Sequence, residues 1–190
     1  MTKLEAALLD LSGFLGEYQI PYMIIGGFAN LYWGVERFTR DLDLTIEVGD
    51  DALEDLLRQL ADRYMLSDGD PLDFVRRNHL IRIETRAGVP VDLMLAVLPY
   101  QLAAIRRAVP ISVEGRDVQL CSPEDLIVYK LASERPQDAL DVEGIVLRQS
   151  ARLDRPYLAA RIRELATGLQ RPEIVAFYNR LLKKADSLPN

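Results

Sequence analysis

Residues Gly26–Leu44 read GGFANLYWGVERFTRDLDL. The apolar run before them, Pro21–Ile25, predicts a short buried strand that ends at the two glycines. FANLYWG (Phe28–Gly34) predicts a short helix closed by Gly34. DLDLTIEV (Asp41–Val48) alternates and predicts a second strand. On a strand, residues two apart share a face. Asp41 and Asp43 therefore point one way, and Leu42 and Leu44 face the core. Gly26 and Gly27 sit between strand and helix, where glycine permits positive φ and close backbone approach. The backbone N–H groups of the following helix would then face an anion. The plainer readings are an ordinary tight turn for the glycines and solvated strand-end carboxylates for the aspartates.

Outward from this stretch, Leu4, Leu8, Leu9, Leu11 and Leu15 recur at helical spacing, so the chain opens with an amphipathic helix. Residues 50–64 predict a helix with acids at its positive N-terminal end. HLIRIETRAGVPVDLMLAV (His79–Val97) is two alternating runs around a turn and predicts an antiparallel hairpin. Residues 99–108 predict a helix, and ISVEGRDVQL (Ile111–Leu120) a second hairpin turning near Gly115. SPEDLIVYKLASE begins with Ser122 as N-cap and Pro123 at the first helical position. Three more segments, from Pro136, Pro156 and Pro172, each read as helices. Strands dominate the middle and helices the last third. The expected fold class is α+β: a small mixed β-sheet core flanked by helices, with a helical C-terminal part. The expected division is 1–121 for the core and 122–190 for the helical region.

In the first hairpin's second strand, Val91, Leu93 and Leu95 take one face and Asp92 the other. Asp41, Asp43 and Asp92 projecting from neighbouring strands would repel one another unless cations lie between them. Hard divalent ions suit oxygen ligands, and magnesium keeps waters and adds phosphate oxygens from a substrate. Two such ions about 3.5–4 Å apart can activate an attacking oxygen and stabilise a leaving pyrophosphate. The plainer reading of Asp92 is an edge-strand charge that blocks aggregation. The glycine spacing matches neither a dinucleotide fingerprint nor a Walker loop.

The chain has 190 residues, about half hydrophobic and a quarter charged, with a net charge of −6. A surface of that sign repels nucleic acid except at a local basic patch. The basic runs are Arg76–Arg77 with Arg82 and Arg86, and Arg106–Arg107; if Arg82 and Glu84 share the Asp92 side, they line the cleft. His79 is the only histidine and reads as structural, and Tyr32 and Trp33 read as core. The single Cys121 cannot form an internal disulfide. No apolar run reaches the roughly 18–20 residues of a membrane span, and no signal-peptide layout opens the chain. These features lead to an expectation of a cytoplasmic protein with no membrane partner.

The combination of strand, Gly-Gly, short helix, basic residues, Asp-x-Asp strand and a third strand aspartate resembles the nucleotidyltransferase superfamily with the DNA polymerase β-like fold. GGFANLYWGVERFTRDLDL and SPEDLIVYKLASERPQDALDVEGI are similar to AbiEii-type and related minimal nucleotidyltransferases, many of them toxins of toxin–antitoxin or phage-defence systems. The resemblance covers residues 20–148. It implies transfer of a nucleoside monophosphate from a nucleoside triphosphate to an acceptor hydroxyl. It implies two Mg2+ ions, with Mn2+ as the alternative, on Asp41, Asp43 and Asp92. Asp92 would also help deprotonate the acceptor. Gly26 and Gly27 match the turn that holds the β- and γ-phosphates. Many relatives have Gly-Ser there, so Gly27 leaves only backbone contacts. Arg37 and Thr39 match a basic and hydroxyl pair before the aspartates, with Arg37 expected near phosphates or acceptor. Lys130 and Asp138 match a Lys-then-Asp motif, in which Lys130 offsets triphosphate charge and Asp138 or Asp141 positions it or binds the nucleotide. Without a ligand role, Lys130 would snorkel from an apolar helix face, and the two aspartates would be solvated or pair with Arg135. A tRNA 3′ end is the acceptor in the toxin-like branch, with a cognate antitoxin as partner. Other branches use a protein hydroxyl or a small molecule such as an aminoglycoside. A catalytically silent nucleotide-binding or interaction module is the competing class.

Overall fold

A computed structural model describes residues 1–67 and 71–188. It divides into two units. The first comprises residues 1–28 and 38–121, the second residues 29–37 and 122–190.

Among the described residues, the first unit is built on a seven-stranded mixed sheet. Its strands are β1 (Tyr22–Ile25), β2 (Leu42–Ile46), β3 (Met65–Leu66), β4 (Leu80–Glu84), β5 (Pro90–Leu95), β6 (Val109–Val113) and β7 (Arg116–Leu120), in the order β3-β4-β5-β2-β1-β7-β6. The β2–β5 and β1–β7 pairs are parallel, and the others antiparallel. The helices of this unit are α1 (Lys3–Glu17), α3 (Leu53–Arg63), α4 (Pro71–Asn78) and α5 (Pro99–Arg106).

Local chemistry explains the boundaries. Thr2 Oγ1 accepts from the Glu5 amide at 3.1 Å, and Glu5 Oε2 accepts from the Thr2 amide at 2.6 Å, a reciprocal cap for α1. The apolar stripe of α1 buries Leu8, Leu11, Phe14 and Leu15, and α1 packs on β7. Full burial of each such side chain stabilises by about 1.5–3 kcal/mol. The β6–β7 turn is Glu114-Gly115, both at positive φ (49° and 77°), which matches the twist of a two-residue hairpin. The predicted alternation holds along β5 and at Leu42–Leu44: Leu42, Leu44, Val91, Leu93 and Leu95 are buried, whereas Asp43 and Asp92 are only partly covered; Thr45 is buried as well, and Asp41, expected on the strand, is exposed just ahead of β2.

Helix α2 (Gly26–Trp33) starts at the first glycine, with no intervening turn after β1. The expected start at Phe28 is two residues late. Gly26 takes φ +65°, so the chain turns from strand to helix on one residue.

The second unit is helical. Beyond Ala29–Trp33 of α2 it contains α6 (Pro123–Ala132), α7 (Pro136–Gln149), α8 (Arg155–Gly168) and α9 (Glu173–Asp186). Ser122 Oγ caps α6 through the Asp125 amide, and Asp154 caps α8 through the Tyr157 amide. Helix α6 packs on α7 and α8, and α9 packs on α7 and α8. Leu126, Ile127, Val142, Ile145, Leu158 and Tyr178 form its core. The 29–37 segment is tied to α7: Arg148 donates to the Gly34 carbonyl, and Gln149 Nε2 donates to the Trp33 carbonyl at 2.9 Å. Tyr32 is half-exposed rather than core. No helix among the described residues is long and apolar enough to cross a membrane.

Candidate active site

Three strands bring charged side chains into one row of the first unit. Asp43 on β2 is paired with Asp92 on β5, and Asp92 with Arg82 on β4. Directly paired residues project from the same face of a sheet. The parallel β2–β5 register is therefore what juxtaposes two carboxylates separated widely in sequence. Arg82 Nε lies 3.8 Å from Asp92 Oδ1, with both side chains about half exposed.

The glycine junction closes on the same carboxylates. A Cβ built on Gly26 would stand 1.9 Å from Asp43 Oδ2, so the Asp43 carboxylate rests directly against the first residue of α2. The first-turn N–H groups of a helix lack intrahelical acceptors and carry partial positive charge, which favours an anion there. A Cβ on Gly27 would stand 2.4 Å from Thr39 Oγ1. The Thr39 hydroxyl thus packs on Gly27, and it donates to Asp41 Oδ1 at 2.9 Å. Each glycine is closely approached by a side chain in or just before the Asp-x-Asp segment.

Among the described residues, no group of three or more His, Cys, Asp or Glu side chains converges closely enough to form a ready metal cage. Magnesium does not need one. It is commonly held by one or two carboxylates, with waters and substrate phosphates completing the shell. The adjacent Asp43 and Asp92, all-oxygen donors with like charge, fit that requirement.

The second unit holds a separate charged net. Lys130 on α6 donates to Asp138 Oδ1 at 2.9 Å and to Asp141 Oδ2 at 2.6 Å, both on α7. All three side chains are about 95% buried or more. Arg37 clamps Asp141 through Nε and Nη2, at 3.0 and 2.9 Å. Arg135 Nε reaches Asp138 Oδ2 at 2.7 Å, and Gln137 Nε2 reaches Asp141 Oδ1 at 3.0 Å. Lys130 therefore does not snorkel, and the two aspartates are not solvated. Burial pushes both carboxyls up, but hydrogen bonds outweigh it and leave both below the ordinary range. Ser133, Lys130 and Arg135 do this for Asp138, and Arg37, Lys130 and Gln137 for Asp141. Of the expected site residues, Gly26, Gly27, Thr39, Asp41, Asp43 and Asp92 lie in the first unit. Arg37, Lys130, Asp138 and Asp141 lie in the second.

Two residues beside the aspartates escaped the sequence reading. Phe38 is 76% exposed, and the Arg40 guanidinium lies 5.2 Å from its ring centroid. Their only signal was spacing: aromatic and cation two apart, immediately before Asp41.

A strand–glycine–helix junction set against a carboxylate row on a mixed sheet, with a helical unit following, is a nucleotidyltransferase-like fold. The chain belongs to the family described as nucleotidyltransferase of unknown function (DUF6036), which matches residues 2–180. Solved structures share the fold at low identity. The antigenic nucleotidyltransferase-like protein from Paracoccidioides brasiliensis is 18% identical, with a TM-score of 0.54 over 92% of this chain and 91% of that one. The antibiotic-resistance factor ANT(2'')-Ia is 17% identical, with a TM-score of 0.58 over 90% and 97%. The lincomycin-bound lincosamide antibiotic adenylyltransferase LnuA is 13% identical, with a TM-score of 0.52 over 76% and 96%. No curated protein matches the chain.

Proposed function

We propose that the protein transfers a nucleoside monophosphate from a nucleoside triphosphate to an acceptor hydroxyl, releasing pyrophosphate. The observation that carries this is the Asp43–Asp92 pairing with Asp43 seated against Gly26. It places like-charged oxygen donors beside a helix N-terminus in a chain whose family is nucleotidyltransferase.

Asp43 and Asp92, with Asp41, would hold Mg2+ (two ions) or Mn2+. When bound, the ions supply charge compensation for the triphosphate and for the departing pyrophosphate. The chain's own residues position and neutralise, the usual division in phosphoryl transfer. The Gly26–Gly27 backbone binds the β- and γ-phosphates. Thr39 orients Asp41 through its hydroxyl. Asp92 accepts the acceptor's proton as the new bond forms between the acceptor oxygen and the α-phosphorus. The bond from that phosphorus to the bridging oxygen breaks. In the second unit, Arg37, Lys130, Asp138 and Asp141 are assigned to nucleotide binding. With Arg135 their net carries one positive charge in surplus, the sign an anionic ligand needs.

The acceptor in this reading is a tRNA 3′ end, and the protein is the cytoplasmic toxin of a toxin–antitoxin pair whose antitoxin is its protein partner. A second reading, a small-molecule hydroxyl, draws on two proteins of like fold, the antibiotic-resistance factor ANT(2'')-Ia and the lincosamide antibiotic adenylyltransferase LnuA.

The test is thermal stabilisation by Mg2+ with each nucleoside triphosphate. The wild type should be stabilised only when metal and nucleotide are both present, and Asp43→Ala should lose the response. An Asp43→Ala protein that responds like wild type contradicts the assignment.

A further inference from the structure

We infer that a cleft in the second unit, between the α6–α7 turn and α9, binds a small organic anion: a compact apolar body carrying one acidic head group. Such a ligand is distinct from both the nucleotide and the acceptor of the transfer reading.

The cleft has a volume of about 240 Å3. That is a little below the roughly 300–1,000 Å3 of drug-sized ligand sites, so its occupant is small. Three helices build its apolar wall: Leu131 comes from α6, Ala139 from α7, and Ile174 and Phe177 from α9. Leu131 and Ile174 are buried, Phe177 is partly covered and Ala139 is exposed. The wall therefore runs from the core of the unit out to solvent. A concave apolar wall with a few polar groups at its edge is the usual build of a small-molecule site.

The charges around it decide the sign of the ligand. Three cations, Lys130, Arg171 and Arg180, line the cleft against one acid, Glu173, on a chain whose net charge is −6. The three cations are not equivalent. Lys130 is held by Asp138 and Asp141 at 2.9 and 2.6 Å. Arg171 is held by Glu173 at 3.0 Å and lies 3.8 Å from Glu134. Arg180 instead has its guanidinium 5.8 Å from the Phe177 ring centroid, and among the described residues no carboxylate pairs with it. The one cation of the three left unmatched is thus beside the aromatic part of the apolar wall. A ligand whose body rests on Phe177 and Ile174 brings its head group within reach of Arg180. A neutral ligand leaves that charge unanswered, and a bare inorganic anion leaves the apolar wall in water. A polycation meets Arg171 and Arg180 with like charge. A polyanion such as RNA finds only one unmatched cation here, whereas its affinity depends on many.

The experiment is a fluorescence titration of the full chain, free of metal and nucleotide, so its outcome does not depend on the transfer reading. The anionic probe is 8-anilinonaphthalene-1-sulfonate, the uncharged probe is N-phenyl-1-naphthylamine, and inorganic sulfate is the competitor. The sulfonate should bind saturably at one site per chain. Arg180→Gln should weaken it roughly 5- to 12-fold, between the values for an exposed ion pair and for a hydrogen bond to a charged group. The same variant should bind the uncharged probe as wild type does. Lys183→Gln removes the same charge from an exposed position of α9 and should bind both probes as wild type does. Ala139→Trp fills the cleft from its exposed wall and should abolish binding of both. Thermal melts confirm the folding of each variant; if Ala139→Trp does not fold, the Arg180 and Lys183 pair decides. The inference is overturned if the sulfonate does not saturate at one site, if Arg180→Gln binds it as wild type does, or if Arg180→Gln weakens both probes alike. It is also overturned if Lys183→Gln weakens the sulfonate as much, if folded Ala139→Trp still binds, or if sulfate displaces the sulfonate at equal concentration.

Discussion

Asp43 and Asp92 stand opposite each other in the parallel register of β2 and β5, two carboxylates paired with no residue between them. Like charges directly opposite in a sheet are destabilising, on the scale of roughly 0.2–1 kcal/mol that cross-strand pairs contribute. Arg82 offsets part of that cost at Asp92, and under the proposed function a bound cation would offset the rest. Asp43→Asn should therefore raise the metal-free unfolding free energy by about that amount and erase the response to Mg2+ and nucleotide. Chemical denaturation with and without Mg2+ measures both effects. A destabilised Asp43→Asn protein would contradict the account.

Gly26→Ala should be more damaging than an ordinary left-handed glycine replacement. Gly26 and Gly115 both have positive φ, at 65° and 77°. A non-glycine residue in that region costs of order 1–3 kcal/mol. Gly115 has open space around a Cβ, whereas a Cβ on Gly26 meets Asp43 Oδ2. The two alanine variants share the backbone strain, so the extra loss in Gly26→Ala reports the displaced carboxylate. Thermal melts and nucleotide transfer by both variants check this. Transfer should fail in Gly26→Ala and persist in Gly115→Ala.

Lys130→Met leaves Asp138 and Asp141 buried and short of their shared cation. Breaking a buried pair by removing one partner typically costs about 3–5 kcal/mol. Urea unfolding should show a loss of that order. Arg135→Ala should cost less, because Arg135 is largely exposed.

The same net predicts the acid limb of stability. Asp138 and Asp141 titrate below the ordinary aspartate value because hydrogen bonds to their charged forms outweigh burial. Their folded pKa values lie under the unfolded ones. Their contribution is fully present above about pH 3.9 and is lost as pH falls through the depressed values. The unfolding free energy should fall with pH below about 4, more steeply in wild type than in Lys130→Met. Urea midpoints across that range give the comparison; equal slopes would contradict it.

Much of the sheet could be read from alternation. Leu42 and Leu44, and Val91, Leu93 and Leu95, each bury one face. That pattern puts Asp43 and Asp92 on the other face. The register itself is a long-range property, set by parallel pairing, and no local pattern encodes it. Met65–Leu66 and Pro71–Asn78 carry no legible pattern, for a physical reason. Strand β3 is two residues long, and α4 buries only Val75 while carrying Asp73, Arg76 and Arg77, so neither has an apolar period. The start of α2 at Gly26 was hidden because glycine is a poor helix former. Asp138 and Asp141 were nameable from their motif, but their burial depends on α6 and α7 packing together. Arg37 joins the same net from 104 residues away.

The most direct test of the central claim is a transfer assay. The protein is incubated with Mg2+, each α-labelled nucleoside triphosphate in turn, and total tRNA. An Asp41→Ala/Asp43→Ala variant runs beside it. The account predicts label in RNA with the wild type and none with the variant. Equal labelling by the variant, or no label in any acceptor despite metal-dependent nucleotide binding by the wild type, would contradict it.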